Sequence, residues 1–230
     1  MASSPQTPVP DRAYPYGHVA WCYDALAQFY SLGAIDRAKA WHTRLIQPGM
    51  RVLYLGAGSG REVPSALSRG GSVTCLEPCE RMRERFAKRL GDQNREAHLL
   101  PLTLDEYTER GDPQYDLVCG NFFFNLFDQA AMWHQLAKAV ALLAAGGIIA
   151  IADFAPPGQG RFSTTTHNLY YRPVNVVGRA LNICALHPIY DYASILNKLG
   201  LVKVSWQDML PLWPSRGLYR VWLAKRVRAD

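Results

Sequence analysis

The sequence lacks the features that mark membrane-spanning, disulfide-stabilised and metal-binding proteins. None of its apolar runs approaches the roughly 18 consecutive apolar residues that a membrane span needs. Its five cysteines are odd in number and irregularly spaced, which argues against a disulfide framework and favours a reducing compartment. Cys75 and Cys79 have no second cysteine or histidine pair at zinc spacing, so we predict no metal site. Residues 1–12 lack the apolar core of a signal peptide, and we therefore expect a cytoplasmic protein.

Charged residues are also scarce. They make up 19% of the chain, whereas 49% of the residues are apolar, a composition typical of a globular protein. The net charge of +6 is small for a surface that follows nucleic-acid phosphates, so we expect no nucleic-acid partner. Much of the positive charge lies in residues 81–89 and 225–228. Such runs usually form solvated surface, and the alternative is a weak peripheral contact with anionic membrane lipid or an attraction for an anionic substrate.

Short apolar runs bounded by turn residues alternate with stretches of helical periodicity. Strands are predicted near residues 51–55, 72–76, 97–100, 115–119 and 148–151, and helices near 62–68, 79–90 and 130–143. This alternation is typical of parallel strands joined by right-handed crossovers. A last helix at 191–198 precedes two strands, 201–206 and 218–224, which have no helix between them and can therefore be antiparallel. The pattern predicts an α/β fold with a seven-stranded, mostly parallel sheet and an antiparallel last strand.

A chain of 230 residues is long enough to bury the core of one α/β domain. We predict a flexible arm over residues 1–18 and a single domain over 19–230. Apolar residues at helical spacing indicate a helical cap over 19–47. Residues 154–188 do not follow the strand–helix rhythm and are rich in aromatic and polar side chains. Because long loops of this kind are usually functional, we interpret them as an inserted substrate lid.

A glycine-rich turn follows the first predicted strand. Residues 53–62 read LYLGAGSGRE, so a strand leads through Gly56, Gly58 and Gly60 into a helix. Glycines let the backbone turn tightly and approach a ligand without Cβ clashes. The dinucleotide-binding pattern G-x-G-x-x-G would need its third glycine at Arg61, which disfavours NAD, and a Walker A loop is excluded because no Gly-Lys-Ser/Thr follows.

An acidic residue, Glu77, stands at the end of the second predicted strand. A carboxylate at this position can accept both hydroxyls of a ribose, as acidic residues do in dinucleotide sites. The alternative is an ordinary surface turn residue. The position of Glu77, one strand after the glycine turn, favours ribose binding.

The order of four motifs resembles that of class I S-adenosylmethionine-dependent methyltransferases. The motifs read LGAGSG at 55–60, LEPC at 76–79, YDLVCGN at 115–121 and LLAAGGI at 142–148, and the resemblance covers about residues 52–153. Within that superfamily, YDALAQFY at 23–30 and DFAP at 153–156 look like segments of the ubiquinone/menaquinone C-methyltransferase branch. The resemblance implies a Rossmann-like doubly wound fold with S-adenosyl-L-methionine as the cofactor.

The resemblance also implies roles for individual residues. Those expected at the cofactor are Tyr23, Gly56, Ala57, Gly58, Gly60, Glu77, Pro78, Thr103, Leu104, Asp105 and Asn121. The glycines would face the methionine part, Glu77 the ribose, residues 103–105 the adenine and Asn121 the sulfonium, with Tyr23 as a cover. The chain departs from the family at Thr103, where an Asp is usual in the adenine loop. Residues 158–188 also do not reproduce the tyrosine-rich stretch of the quinone enzymes.

Transfer of an activated methyl group needs a general base only if the acceptor has a proton to lose. The candidates are His18, His167 and His187, with Asp153, Tyr170 and Tyr171 near the lid; we name His167 and Tyr170 as the catalytic pair. The alternative for each is a structural role in loop shape or packing. Aromatic residues, Phe122–Phe124, Phe127, Phe154 and Phe162 among them, concentrate beside the predicted transfer site. They can pack the core or line a pocket for a flat or lipophilic acceptor.

The prediction is therefore methyl transfer to a small acceptor, aromatic or lipophilic in character. One alternative is N-methylation of an amine such as a phospholipid headgroup, and another is a non-catalytic S-adenosylmethionine-binding protein. Nucleic-acid methylation is disfavoured because residues 121–124, NFFF, lack the N-P-P-Y pattern of enzymes that act on flipped bases. The acceptor atom and the oligomeric state stay open at this point.

Overall fold

The fold is seen in a computed structural model that describes residues 31–110, 114–157, 164–165, 168–173, 176, 189–211 and 217–227. The predicted arm over 1–18 lies outside the described residues, as do Tyr23 and the candidate bases His18, His167 and His187. Among the described residues, no helix has both the length and the apolar character needed to cross a bilayer.

The strands are β1 Arg51–Leu55, β2 Ser72–Leu76, β3 Ala97–Leu100, β4 Tyr115–Asn121, β5 Leu143–Phe154, β6 Val202–Pro211 and β7 Gly217–Lys225. The helices are α1 Ala34–Trp41, α2 Val63–Ser68, α3 Glu80–Leu90, α4 Leu104–Thr108, α5 Gln129–Ala141 and α6 Tyr192–Lys198. Short 3-10 turns lie at His42–Leu45, Gly91–Arg95 and Phe124–Leu126.

All seven strands form one sheet in the order β3-β2-β1-β4-β5-β7-β6. Strands β1 to β5 pair in parallel, while β7 runs antiparallel to both β5 and β6. The predicted sheet with its antiparallel last strand is therefore confirmed. The strand order reverses between β1 and β4, and such a switch point opens a crevice at the carboxyl ends of the parallel strands.

The alternation of side chains along β1 explains why its sequence is apolar almost throughout. Val52 and Tyr54 lie in one buried cluster on one face of the sheet, whereas Leu53 and Leu55 lie in another. Because helices cover both faces of a parallel sheet, its central strands are buried on both sides. The glycine-rich turn thus follows a strand whose last four residues are buried.

The structure corrects the predicted helix ending and strand start around Gly146 and Gly147. We expected a helix to Leu143 and a strand only from Ile148, but α5 ends at Ala141 and β5 begins at Leu143. Both glycines lie inside β5, where the register with β4 shifts. A Cβ at Gly147 would approach the Tyr115 carbonyl oxygen to 2.8 Å, so the glycine permits close contact between the two strands.

The helical cap predicted over residues 19–47 contains a break in its described part. Leu32 and Gly33 have positive φ values of 50° and 72°, and α1 begins only at Ala34. It ends at Trp41 and is followed by the 3-10 turn rather than by further α-helix. Periodicity alone did not reveal the break because the apolar spacing continues through it.

Candidate functional site

Glu77 follows β2 directly, and its carboxylate is buried at the C-terminal edge of the sheet. Its Oε2 accepts the backbone N–H of Gly58 at 2.7 Å, and its Oε1 accepts that of Cys79 at 3.0 Å. Burial raises the pKa of Glu77, although these two hydrogen bonds oppose the rise. An ionised carboxylate has about four acceptor positions, so each oxygen keeps room for one donor from a ligand.

The glycine loop, residues 56–60, follows β1, and its three glycines have different surroundings. All three have positive φ values: 60° at Gly56, 56° at Gly58 and 67° at Gly60. A Cβ at Gly58 would meet no atom within 4 Å, whereas one at Gly60 would lie 2.4 Å from the Phe86 ring. Gly58 therefore keeps space open, and Gly60 allows α3 to pack closely against the loop.

Two arginines of α3 donate hydrogen bonds to carbonyl oxygens of the glycine loop and of the segment that begins at Glu77. Arg83 donates from Nη1 to the carbonyl oxygens of Glu77 at 3.0 Å and Pro78 at 2.6 Å. Arg89 donates from Nε to the Ser59 carbonyl oxygen at 2.9 Å. The sequence interpretation of residues 81–89 as solvated surface missed this role because carbonyl partners on other loops leave no sequence pattern.

Asn121 ends β4, the strand that pairs with β1, and is buried. Its Nδ2 donates to Glu62 Oε1 at 2.7 Å, while its Oδ1 is buried without a hydrogen-bond partner in the described part of the chain. A buried acceptor without a donor is costly, and a ligand that donates a hydrogen bond would relieve that cost. Glu62 was not predicted as a site residue, although it closes the same glycine-rich motif.

Thr103 and Asp105 flank the start of α4. Thr103 caps the helix, because its hydroxyl oxygen accepts the Glu106 N–H at 3.2 Å and Glu106 Oε2 accepts the Thr103 N–H at 2.8 Å. Asp105 accepts hydrogen bonds from Gln135 at 2.9 Å and from Lys138 at 2.5 Å. Partial burial opposes ionisation of Asp105, but these two partners together lower its pKa.

These elements enclose a cavity of about 330 Å³ at the C-terminal edge of the sheet. Of the predicted cofactor residues, eight line it: Gly56, Gly58, Glu77, Pro78, Thr103, Leu104, Asp105 and Asn121. Two others do not, since Ala57 is buried and donates its N–H to the Leu76 carbonyl oxygen at 3.0 Å, and Gly60 faces Phe86. Lys39 and Gln135 also line the cavity and were not predicted.

The segment Phe122–Phe127, called here the phenylalanine wall, also lines the cavity, and its Phe123 ring lies against Gly56 of the glycine loop. Phe122, Phe123, Leu126 and Phe127 line the cavity. The Phe123 ring makes edge contacts with those of Phe124 at 5.2 Å and Phe127 at 5.3 Å between centroids. Phe122 has a positive φ of 52°, a strained conformation for a residue with a side chain. Strain of this kind persists where the surrounding structure fixes the backbone.

The predicted catalytic residue Tyr170 lies outside the cavity lining. Its hydroxyl oxygen is 2.7 Å from that of Tyr219 on β7. Tyr171 stacks edge-on against Phe154 with ring centroids 4.9 Å apart. Both tyrosines therefore pack in an aromatic cluster beside the cavity, and Asp153 is also buried behind the cavity rather than in its lining. In the described part of the chain, no group of three or more His, Cys, Asp or Glu side chains is arranged to hold a metal ion.

Residues 53–149 match the methyltransferase domain family. None of the curated proteins compared with this chain is significantly similar to it in sequence. Among solved structures, 1,6-didemethyltoxoflavin-N1-methyltransferase of Burkholderia thailandensis, with 1,6-didemethyltoxoflavin and S-adenosylhomocysteine bound, is 22% identical to the chain. The likeness covers 99% of this chain and 93% of that one, with a TM-score of 0.64.

Two further structures have the same fold. A SAM-dependent methyltransferase of Thermotoga maritima is 16% identical, over 92% of this chain and 98% of its own, with a TM-score of 0.65. Phosphoethanolamine N-methyltransferase 2 of Haemonchus contortus, in complex with S-adenosyl-L-methionine, is 12% identical, over 98% of this chain and 62% of its own, with a TM-score of 0.61. At these identities the likeness establishes the fold, and the predicted class I methyltransferase fold is confirmed.

Proposed function

We propose that this chain, which has the class I methyltransferase fold, is an S-adenosylmethionine-dependent methyltransferase and that it methylates a small acceptor that is aromatic or lipophilic. The observation that carries the proposal is that two unlike sets of residues line the cavity. One set is a buried carboxylate with open glycine backbone, and the other is four apolar side chains of the phenylalanine wall. A polar, nucleoside-like ligand suits the first set, and a flat or apolar group suits the second.

The residues present fit the cofactor. Glu77 offers one free acceptor position on each carboxylate oxygen, as the two hydroxyls of a ribose require. Asn121 offers a buried Oδ1 that needs a donor, and the φ of 56° at Gly58, with no atom near its missing Cβ, leaves a cradle beside the backbone. We assign the ribose to Glu77, the methionine part to the glycine loop and Asn121, and the adenine to residues 103–105 with Pro78.

When bound, S-adenosyl-L-methionine supplies a methyl group already activated on a sulfonium. The chain's own contribution is then to hold donor and acceptor in line and to exclude water. Glu77 and Gly58 fix one end of the cavity through the 2.7 Å hydrogen bond between them. Phe122 and Phe123 present apolar surface next to Asn121, where an acceptor ring would meet no competing water.

The finer resemblance to the ubiquinone/menaquinone C-methyltransferase branch supports a lipophilic acceptor. It rests on residues 23–30 and on Asp153–Pro156. The buried position of Asp153 speaks against direct contact with an acceptor at that residue. Among the candidate bases outside the described residues, we propose His167 because of its place in the predicted lid.

Calorimetric titration with S-adenosylhomocysteine, with NADH as the control, tests the cofactor assignment first. We expect micromolar binding of S-adenosylhomocysteine and no binding of NADH. Methyl transfer to a panel of small aromatic, quinone-like and amine acceptors then tests the acceptor class. Turnover confined to hydrophilic aliphatic acceptors would overturn the proposal of an aromatic or lipophilic substrate.

A nitrogen acceptor is the second candidate. The toxoflavin enzyme and the phosphoethanolamine enzyme, which share the fold, are both N-methyltransferases by name. Of these, the first acts on a flat heterocycle, which also suits the phenylalanine wall. If the acceptor is instead a lipid headgroup amine, the protein should bind anionic liposomes, and the binding should weaken with salt. The engagement of Arg83 and Arg89 by loop carbonyls argues against a large role for α3 at a membrane.

A further inference from the structure

Asp153 is a buried carboxylate at the end of β5, and three donors converge on it. Its Oδ1 accepts Asn125 Nδ2 at 2.8 Å and the Phe154 backbone N–H at 2.7 Å. Its Oδ2 accepts the Tyr192 hydroxyl at 2.6 Å. In the described part of the chain, no salt bridge joins Asp153 to a basic side chain.

Asn125 connects this carboxylate to the cavity. It lies in the 3-10 turn of the phenylalanine wall and is itself buried. Phe123 and Leu126, on either side of that turn's centre, both line the cavity. The wall is thus tied to the sheet through the Asn125 side chain, and a second tie is the Tyr190 hydroxyl, which donates to the Phe127 carbonyl oxygen at 2.9 Å.

The ionisable groups around Asp153 come from four other parts of the fold. Burial raises the pKa of Tyr190, just before α6, to about 12. It also raises the pKa of Tyr192, the first residue of α6, well above its ordinary value. Tyr171 also interacts with Tyr192. On β7, Arg220 is in register with Asp153, but its guanidinium binds Asp208 at 2.5 and 3.0 Å.

One further charge belongs to this set. Asp128, which caps α5, acts on Tyr190 rather than on Asp153. Burial raises the pKa of Asp153 itself to about 7, against the opposing effect of its three hydrogen bonds. The cluster can therefore change its charge under ordinary conditions.

We propose that Asp153 is a positioning residue whose ionised carboxylate holds the phenylalanine wall in place through Asn125, and whose protonation loosens the wall and weakens cofactor binding. The inference rests on the proposed function, since it takes the cavity to be the cofactor site. It assigns Asp153 no contact with the reacting atoms.

Hydrogen-bond chemistry gives the direction of the effect. Hydrogen bonds to an ionised carboxylate are about twice as strong as those to a neutral group. A proton on the carboxyl also adds a fourth donor to a cluster that already contains three, so one hydrogen loses its acceptor unless a group turns. Whether or not a group turns, the hydrogen bond from Asn125 Nδ2 to the Asp153 carboxyl weakens.

Titration of the full chain with S-adenosylhomocysteine over a series of pH values tests the proposal. We expect the Kd to rise about fivefold as the pH falls from about 8 to about 6. In Asp153→Asn the Kd should stay near the low-pH value throughout. Tyr192→Phe removes a hydrogen bond to the ionised carboxylate of Asp153. The midpoint of the pH dependence of its Kd should therefore rise by about one pH unit.

Tyr190→Phe is the matched control, because it cuts the other tie to the wall without removing a bond to Asp153. It should weaken binding at every pH and leave the midpoint unchanged. Glu77, the buried carboxylate of the cavity lining, is intact in Asp153→Asn, so a pH step that it causes would persist there.

A pH-independent Kd in the wild-type protein, or a pH step that persists in Asp153→Asn, would overturn this inference. If Asp153→Asn does not fold, the midpoint in Tyr192→Phe decides, and an unchanged midpoint counts against the proposal. Absence of binding at every pH would instead overturn the proposed function, which separates the two failures.

Discussion

The two sides of the cavity are held by different kinds of interaction. On the glycine-loop side, Glu77 is fixed by two backbone N–H groups at 2.7 and 3.0 Å, and α3 braces the adjoining carbonyls. On the other side, the phenylalanine wall depends on side-chain bonds from Asn125 to Asp153 and from Tyr190 to Phe127.

The difference has a physical consequence. Backbone donors beside glycines at positive φ cannot be repositioned without refolding the loop, so that side suits the invariant part of a ligand. Side-chain bonds from neighbouring elements respond to substitution and to pH, so the wall can be adjusted without disturbing the sheet. The glycine-loop side is thus the rigid side of the cavity, and the phenylalanine wall is its adjustable side.

Gly58→Val should produce the largest effect on binding, and it changes only the rigid side of the cavity. A valine at a φ of 56° is strained, and its branched side chain would occupy the space that the glycine keeps open. We expect S-adenosylhomocysteine binding to fall by at least about 100-fold, beyond easy detection by calorimetry.

Gly91→Val is the matched control for that experiment. Gly91 has nearly the same φ, 55°, and no atom within 4 Å of its missing Cβ, but it lies outside the cavity lining. Its valine variant should lose comparable stability and keep cofactor affinity. Equal affinity losses in both variants would mean that strain, not occupied space, explains the Gly58 result.

Asp153→Asn should change the pH dependence of folding, which tests the adjustable side. Because the folded-state pKa of Asp153 is raised to about 7, its contribution to stability is present below the ordinary pKa of 3.8 and is lost as the pH rises through 7. The wild type should therefore lose stability relative to Asp153→Asn over this window, by about 2–4 kcal/mol in total. Urea unfolding of both proteins at several pH values measures the difference, and parallel pH curves would contradict it.

Glu77→Ala returns to the rigid side with a smaller change. It removes the acceptor for two backbone N–H groups and for the expected ribose hydroxyls. We expect S-adenosylhomocysteine affinity to fall by about 1–3 kcal/mol, the range for losing a charged hydrogen-bond partner. Glu80→Ala, an exposed glutamate at the start of α3, is the control and should bind normally. Unchanged affinity in Glu77→Ala would remove the ribose assignment.

The rigid side is also the part of the site that could be predicted from the sequence. Strand β1 was predicted with its observed bounds, because a short apolar run between Pro48–Gly49 and the glycine turn has few other interpretations. Gly58 and Glu77 follow from motifs at the ends of adjacent parallel strands, and the topology brings such ends together. Local chemistry sufficed for this half of the cavity.

The adjustable side was beyond sequence reasoning for a physical reason. The bond from Asn125 to Asp153 spans 28 positions, and that from Tyr190 to Phe127 spans 63. Neither pair has a periodic or motif signal, since each depends on how α6 and the phenylalanine wall dock on β5. The aromatic run Phe122–Phe124 was noticed, but its division between core and cavity wall was not resolved by sequence.

Tyr170→Phe should have the smallest effect, because Tyr170 belongs to neither side of the cavity. The substitution keeps the ring and removes the hydroxyl that lies 2.7 Å from the Tyr219 hydroxyl, at a cost of about 1 kcal/mol in folding free energy. Because the aromatic cluster borders the cavity, we expect turnover to fall severalfold while S-adenosylhomocysteine affinity stays within roughly twofold. A double-mutant cycle with Tyr219→Phe checks the cause, since two groups that act only on each other should lose no more together than either loses alone. A loss of cofactor affinity with unchanged turnover would instead place Tyr170 at the cofactor.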